Sequence, residues 1–147
     1  MSVLFDRVAS LLSPAALLRR GVRMAEAGDL PGAFPVLAKA AGAGLPEAQY
    51  RIGKAYLEGA GVPASRPDAA LWLERAAESG WVEAQTLLST LYLYGLIAPS
   101  EGSAPGAALF SDGRVATPDY LGAARWSERA AEAGSPEAQA LYAYVLT

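Results

Sequence analysis

The stretch "WLERAAESG" at residues 72–80 returns as "WSERAAEAG" at 126–134, and a more diverged copy, "VLAKAAGAG", stands at 36–44. The glycines that end the copies are 36 residues apart (44 to 80) and then 54 apart (80 to 134), so the second interval is the first enlarged by an insertion. The stretches that follow match as well: "LPEAQYRIGKAYLEGAG" from 45, "WVEAQTLLSTLYLYG" from 81 and "SPEAQALYAYVLT" from 135. Self-similarity at a period of roughly 20 to 50 residues marks stacked supersecondary units, each too small to bury its own apolar face. The chain is thereby confined to a repeat architecture.

Each unit reads as two helices. Ala84, Leu87, Leu88, Leu91 and Tyr92 fall at i, i+3, i+4, i+7 and i+8, and so do Ala138, Leu141, Tyr142, Val145 and Leu146, which places each set on one helix face. Ser13-Pro14, Thr117-Pro118 and Ser135-Pro136 each offer a capping hydroxyl followed by proline at the first helical position. Gly44, Gly59, Gly80, Gly95 and Gly134 stand where a helix must end. An apolar fraction of 52%, much of it Ala, excludes general disorder and favours helix. The expected fold class is all-α, an array of stacked antiparallel helix hairpins.

Composition also narrows function. The formal net charge is -3, and only Arg19, Arg20 and Arg23 gather positive charge, so no nucleic-acid partner is expected. Cys and His are absent. That removes thiol nucleophiles, imidazole bases and the zinc sets that need sulfur or imidazole, and no metal or cofactor is expected. No run reaches the roughly 18 apolar residues of a membrane span. The opening "MSVLFDRVASLL" is interrupted by Asp6 and Arg7 and makes a poor signal peptide, which points to the cytoplasm.

At this point the residues carry a family resemblance. "EAQYRIGKAYLEGAGVPASRPDAALWLERAAESG" resembles the Sel1-like repeat through Ala48, Ile52-Gly53, Tyr56, Gly59-x-Gly61-Val62, Trp72, Arg75-Ala76-Ala77 and Gly80. Residues 117–147 resemble it through Ala123, Trp126, Arg129-Ala130-Ala131, Gly134 and Ala138. Gly21, Met24, Gly28-Asp29, Ala33, Leu37 and Ala40 are more similar to the related tetratricopeptide repeat. The resemblance implies a right-handed α-solenoid. It divides the chain into an N-terminal capping helix (1–13), a tetratricopeptide-like hairpin (14–45), one repeat (46–80), a second repeat (81–134) with an insertion at 97–117, and the first helix of an incomplete repeat (135–147). Ser89 replaces the small glycine of the first helix, and the second unit lacks the Gly-x-Gly-Val turn.

Trp72 and Trp126, and likewise Tyr56 and Tyr92, hold equivalent repeat positions and are expected to pack in the core, where burying such a ring contributes on the order of 2 to 3 kcal/mol. Trp81 has no aromatic counterpart, since Leu45 and Ser135 hold its aligned positions; with Tyr94 and Tyr144, off the apolar stripes, it is a candidate for partner binding. Glu74 and Glu78 are expected on a solvated helix face rather than as a catalytic pair. The insertion "IAPSEGSAPGAALFSDGRVAT" opposes helix; it is either a tolerated loop or a recognition loop built on Phe110, Asp112 and Arg114.

Stacked hairpins offer an extended concave surface rather than a closed catalytic pocket. The expected function is a non-catalytic scaffold that binds a protein segment on that surface. The rivals are a membrane-peripheral regulator anchored by Val3, Leu4, Val8, Leu11 and Leu12 of the opening segment, or an envelope or exopolysaccharide regulator, a setting implied only by the resemblance, and a hydrolase working with carboxylates alone. Leu141, Tyr142, Val145 and Leu146 lack a second helix to cover them. A longer parent chain with further repeats is the favoured explanation, and a homodimer through this end is the alternative.

Overall fold

A computed structural model describes residues 13–97 and 117–147. Except for Ser13, the capping helix expected over 1–13 lies outside these residues, and so do residues 98–116 of the insertion. The described residues form seven α-helices and no strand: α1 (Pro14–Glu26), α2 (Leu30–Gly42), α3 (Pro46–Glu58), α4 (Arg66–Glu78), α5 (Val82–Leu93), α6 (Tyr120–Glu132) and α7 (Pro136–Val145). Helices α1–α2, α3–α4 and α5–α6 are three hairpins. Each helix packs chiefly on its neighbours in sequence, and α7 also touches α5. The fold is therefore an all-α repeat stack in which every interface is local.

The turns between hairpins repeat one device. Gly44, Gly80 and Gly134 adopt φ of 99°, 92° and 96°. The left-handed residue lets the next backbone N–H reach back to the helix it has left: Leu45 to the Ala40 carbonyl at 3.3 Å, Trp81 to Ala76 at 3.0 Å and Ser135 to Ala130 at 3.1 Å. The next helix then starts at once. A second device ties successive hairpins together. The side-chain Nε2 of Gln49, Gln85 and Gln139 donates to the carbonyl of Ala41, Ala77 and Ala131 at 3.3, 3.0 and 3.4 Å, bridging the end of one hairpin to the start of the next.

Within hairpins the second helix is capped from one repeat position. Asp29 accepts from the Gly32 N–H at 3.0 Å, Ser65 from Asp68 at 3.4 Å and Asp119 from Gly122 at 2.9 Å. Ser13 and Ser135 cap α1 and α7 as expected. Thr117-Pro118 does not start a helix. The Asp119 N–H first donates to the Tyr92 carbonyl at 2.9 Å, the same closure that Ser65 makes with Tyr56 at 2.9 Å, so the chain returning from the insertion meets α5 at residue 119 and turns helical only after it. Ile97, at the start of the insertion, is buried in the core.

The helices of a hairpin meet most closely at one point. A Cβ placed on Gly21 would lie 2.6 Å from Leu37 Cγ, and one on Gly53 would lie 2.7 Å from Leu73 Cγ. The third hairpin solves the same contact differently. Ser89 stands where Gly21 and Gly53 do, and Ser127 where Leu37 and Leu73 do; both are fully buried, and both hydroxyls donate to the Ala123 carbonyl, at 2.6 and 2.7 Å. Volume added on one helix is offset by volume removed from the other, and each polar group is satisfied.

Two clusters make up the core. One joins α1, α2 and α3 around Leu17, Leu37, Ala40 and Ile52; the other joins α4, α5 and α6 around Leu73, Leu88, Tyr92 and Trp126. Chemical denaturation tests the serine pair. Ser127→Leu alone is expected to destabilise by about 2 kcal/mol through overpacking against Ser89. Ser89→Gly combined with Ser127→Leu is expected to recover about 1 kcal/mol or more of that as favourable coupling, whereas additive losses would show the two sites to be independent.

Candidate functional site

The first helices of successive units turn equivalent residues to one side. Glu47, Tyr50, Arg51 and Lys54 of α3 are matched one repeat later by Glu83, Thr86, Leu87 and Thr90 of α5, and Glu137 opens the same row on α7. Two cavities of about 470 and 680 Å³ lie along this row and share Tyr50 and Glu83, so they form one groove. Leu30 and Phe34 of α2 close the first against α3; Ser135 and Glu137 close the second.

The floor between the cavities is aromatic. Trp81 ends the turn after Gly80, so its indole projects at the foot of α5, where its ring lies 6.4 Å from Tyr50 at a 40° tilt. It lines the first cavity and also packs on the core. Its Nε1 is buried and has no hydrogen-bond partner. Beyond Tyr50, Lys54 Nζ stands 5.7 Å from the Tyr50 ring, and Phe34 meets Tyr56 edge-on at 5.3 Å.

The charges along the groove are uneven. On α3 they pair within the helix, Arg51 with Glu47 at 3.3 Å and Lys54 with Glu58 at 3.8 Å, exposed i, i+4 contacts of small worth. Glu83 and Glu137 have no cation at ion-pair distance among the described residues, and the second cavity is lined by these two carboxylates with Thr86, Thr90 and Ser135 hydroxyls and no basic side chain. The groove can thus offer an aromatic contact at one end and a negative, hydroxyl-lined channel at the other. Among the described residues, no three acidic side chains converge as metal ligands and no helix is long and apolar enough to cross a membrane.

Of the candidate binding residues, Trp81 lies in this groove. Tyr144 is 67% exposed at the repeat position of Lys54 and Thr90, so it continues the groove face onto α7. Tyr94 is also exposed, at the end of α5. Phe110, Asp112 and Arg114 lie outside the described residues. On α7, Leu141 and Val145 are half-buried against the core of the preceding hairpin, which narrows the uncovered face expected there to Tyr142, Ala143 and Leu146. Partial burial raises the pKa of Tyr142 above its ordinary value, and the neighbouring Glu128 carboxylate adds to this by charge and hydrogen bond, with Glu132 behind it.

One expectation needs correction. Glu74 is not on a solvated face: it is half-buried and accepts the Tyr92 hydroxyl at 2.5 Å, tying α4 to α5, whereas Glu78 is exposed. Trp126 and Tyr92 are buried in the core, whereas Trp72 and Tyr56 pack against the core but stay half-buried; the Trp72 ring carries the Arg75 guanidinium 4.8 Å from its centre. Sequence reasoning overlooked Tyr50 and Glu83, although the row 47, 50, 51, 54 repeats at 83, 86, 87, 90 and could have exposed both.

The Sel1 repeat model matches residues 46–81, 82–104 and 106–135. The chain belongs to the Sel1 repeat family. The match begins with α3 and leaves the α1–α2 hairpin outside it. Among solved structures, the chain resembles a Sel1 repeat protein from Oxalobacter formigenes, with a TM-score of 0.67 and 29% identity over 88% of this chain and 47% of that one. It equally resembles c5321, a protective antigen of uropathogenic Escherichia coli strains displaying an SLR fold, with a TM-score of 0.67 and 28% identity over 89% of this chain and 25% of that one. The Sel1 chain therefore spans about half the length of the first relative and a quarter of the second. A search of curated proteins finds no significant match.

The unpartnered indole gives a prediction. A buried donor without a partner costs about 1 to 3 kcal/mol, which offsets much of what its ring contributes by packing. Trp81→Phe is expected to change stability by less than about 1 kcal/mol, while Trp126→Ala, which empties a buried site, is expected to cost about 3 kcal/mol or more. Equal losses in thermal and denaturant unfolding would show Trp81 to be an ordinary core residue.

Proposed function

We propose that this Sel1 repeat chain is a non-catalytic scaffold that holds an extended protein segment along the groove of α3, α5 and α7. Repeats of this family generally serve protein–protein interaction and are typically non-enzymatic. The observation that carries the reading is the recurrence of Glu47, Glu83 and Glu137 on one side of the groove with Tyr50 and Trp81 at its base. A ligand that is itself periodic, such as an extended chain, can meet a site built from periodic residues. A small substrate gains nothing from the repetition.

The chemistry of the lining selects the segment. An apolar or aromatic side chain fits against Tyr50 and Trp81, with the Trp81 N–H able to donate to a carbonyl on the bound chain if the ring rotates outward. Lys or Arg a few residues away faces Glu83 and Glu137, whose contribution is exposed, screened by salt and felt mainly in association rate and register. The carboxylates and hydroxyls of the groove act in this reading as contacts for the bound segment, and binding is the whole of the proposed activity.

Selection from a displayed library of random peptides tests this directly. Enriched peptides are expected to pair an apolar residue with a basic one and to bind in the micromolar range, and binding is expected to weaken about tenfold in Glu83→Lys, an exposed substitution that leaves the core untouched. Enriched peptides indifferent to Glu83→Lys and to Tyr50→Ala would place the binding surface elsewhere.

A further inference from the structure

The charges of the first helices are ordered along the stack. Helix α1 carries Arg19, Arg20 and Arg23 against one carboxylate, Glu26. Helix α3 carries Arg51 and Lys54 against Glu47 and Glu58, and the four pair off within the helix. Helices α5 and α7 each carry one carboxylate, Glu83 and Glu137, and no base. The helices that line the groove thus run from positive through neutral to negative. No such order appears on the second helices, where α2 carries Lys39 alone and α4 and α6 each mix arginines with carboxylates.

Register puts these charges on the groove side. Gly21 and Gly53 share a repeat position, so Arg19 and Arg23 of α1 match Arg51 and Ala55 of α3, which both line the first cavity. Both arginines are exposed, and neither has a carboxylate at ion-pair distance among the described residues. Glu83 and Glu137, also exposed, line the second cavity without a cation. Tyr50 and Trp81 supply the apolar contact between the two ends.

Distance decides whether such charges act separately or cancel. Stacked hairpins whose helices pack about 10 Å apart put α1 and α5 about 20 Å from each other. The Debye length at physiological salt is about 8 Å, so each end of the groove acts only on what lies over it. A segment of one charge sign gains at one end and loses at the other. A segment acidic at one end and basic at the other gains at both, in one placement only.

From this we infer that the groove is directional: it takes a segment with its acidic end over Arg19 and Arg23, an apolar residue at Tyr50 and Trp81, and its basic end over Glu83 and Glu137. The inference rests on the proposed reading of the groove as a site for a protein segment and adds the order in which that segment lies. Charge sets the placement, so exchanging the charges of the two ends of the groove turns the segment around.

The test uses a synthetic peptide of about twelve residues, long enough to reach from α1 to α7 when extended. It is Glu-rich at its amino end, has Phe at its centre and is Lys-rich at its carboxyl end, with a nitroxide on the acidic end to broaden the amide signals nearby. In the unsubstituted chain, broadening is expected on α1 and absent on α7. In Arg19→Glu/Arg23→Glu/Glu83→Lys/Glu137→Lys, where all four sites are exposed, helical circular dichroism is expected to stay unchanged and the broadening to move to α7. Peptides with the same Phe but Glu at both ends, or Lys at both, are expected to bind the unsubstituted chain about fivefold more weakly at low salt. Broadening that falls equally on both ends, or that stays on α1 in the exchanged variant, overturns the inference, while shifted Tyr50 and Trp81 signals would leave the scaffold reading standing. So does a chain that is dimeric by light scattering and becomes monomeric in Arg19→Glu/Arg23→Glu, since a second copy then takes the charged ends. A peptide that shifts neither the Tyr50 nor the Trp81 signal overturns both readings.

Discussion

The contact on which the stack depends is the close approach of two helices over a small residue. With Leu37 pressed onto Gly21 and Leu73 onto Gly53, the first helix contributes no side chain at the contact, and the alanines around it, Ala33, Ala40, Ala69 and Ala76, are buried. This explains why so much of the apolar composition is Ala: closely spaced helices leave little volume to fill, and close packing rather than bulk supplies the cohesion. The serine pair of the third hairpin keeps the spacing and exchanges a steric fit for two hydrogen bonds to the Ala123 carbonyl.

Hairpins built this way must still be set in order, and polar contacts do that work. The Gln49, Gln85 and Gln139 amides reach the carbonyl eight residues back across each glycine turn, and Tyr92 reaches Glu74 across the α4–α5 interface. A hydrogen bond that needs one geometry fixes the angle between successive hairpins more tightly than apolar contact, which tolerates sliding. Gln49 and Gln85 leave their Oε1 atoms buried without a partner, a local cost that each repeat accepts to keep this link.

Much of the architecture was legible because it is periodic. The echo of 72–80 at 126–134 placed α4 and α6, the glycines marked helix ends, and the apolar stripe of α5 was read correctly at Ala84, Leu88, Leu91 and Tyr92. What escaped was decided by single contacts with no period. Thr117-Pro118 looks like a helix start, but the Asp119–Tyr92 backbone bond delays it. Glu74 looks like a solvated partner of Arg75, yet a hydroxyl from another helix claims it. Of the residues that line the groove, the sequence singles out Trp81 as an unmatched aromatic, while Tyr50 and Glu83, which line both cavities, look ordinary in their own repeats.

The repeat assigns different work to different faces of the same helix. On α5, residues 83, 86 and 90 line the groove, residues 88, 89 and 92 lie under the second helix, and Ala84 is buried in the core. Because side chains three and four apart share a face, a helix of twelve residues can serve all of these without conflict. On α7 the groove face begins at Glu137 and the uncovered face lies at 142, 143 and 146. The two faces share no side chain, so what touches one leaves the other unchanged. Because Glu47, Glu83 and Glu137 recur at one repeat position on α3, α5 and α7, the groove face is a property of the stack rather than of any one hairpin.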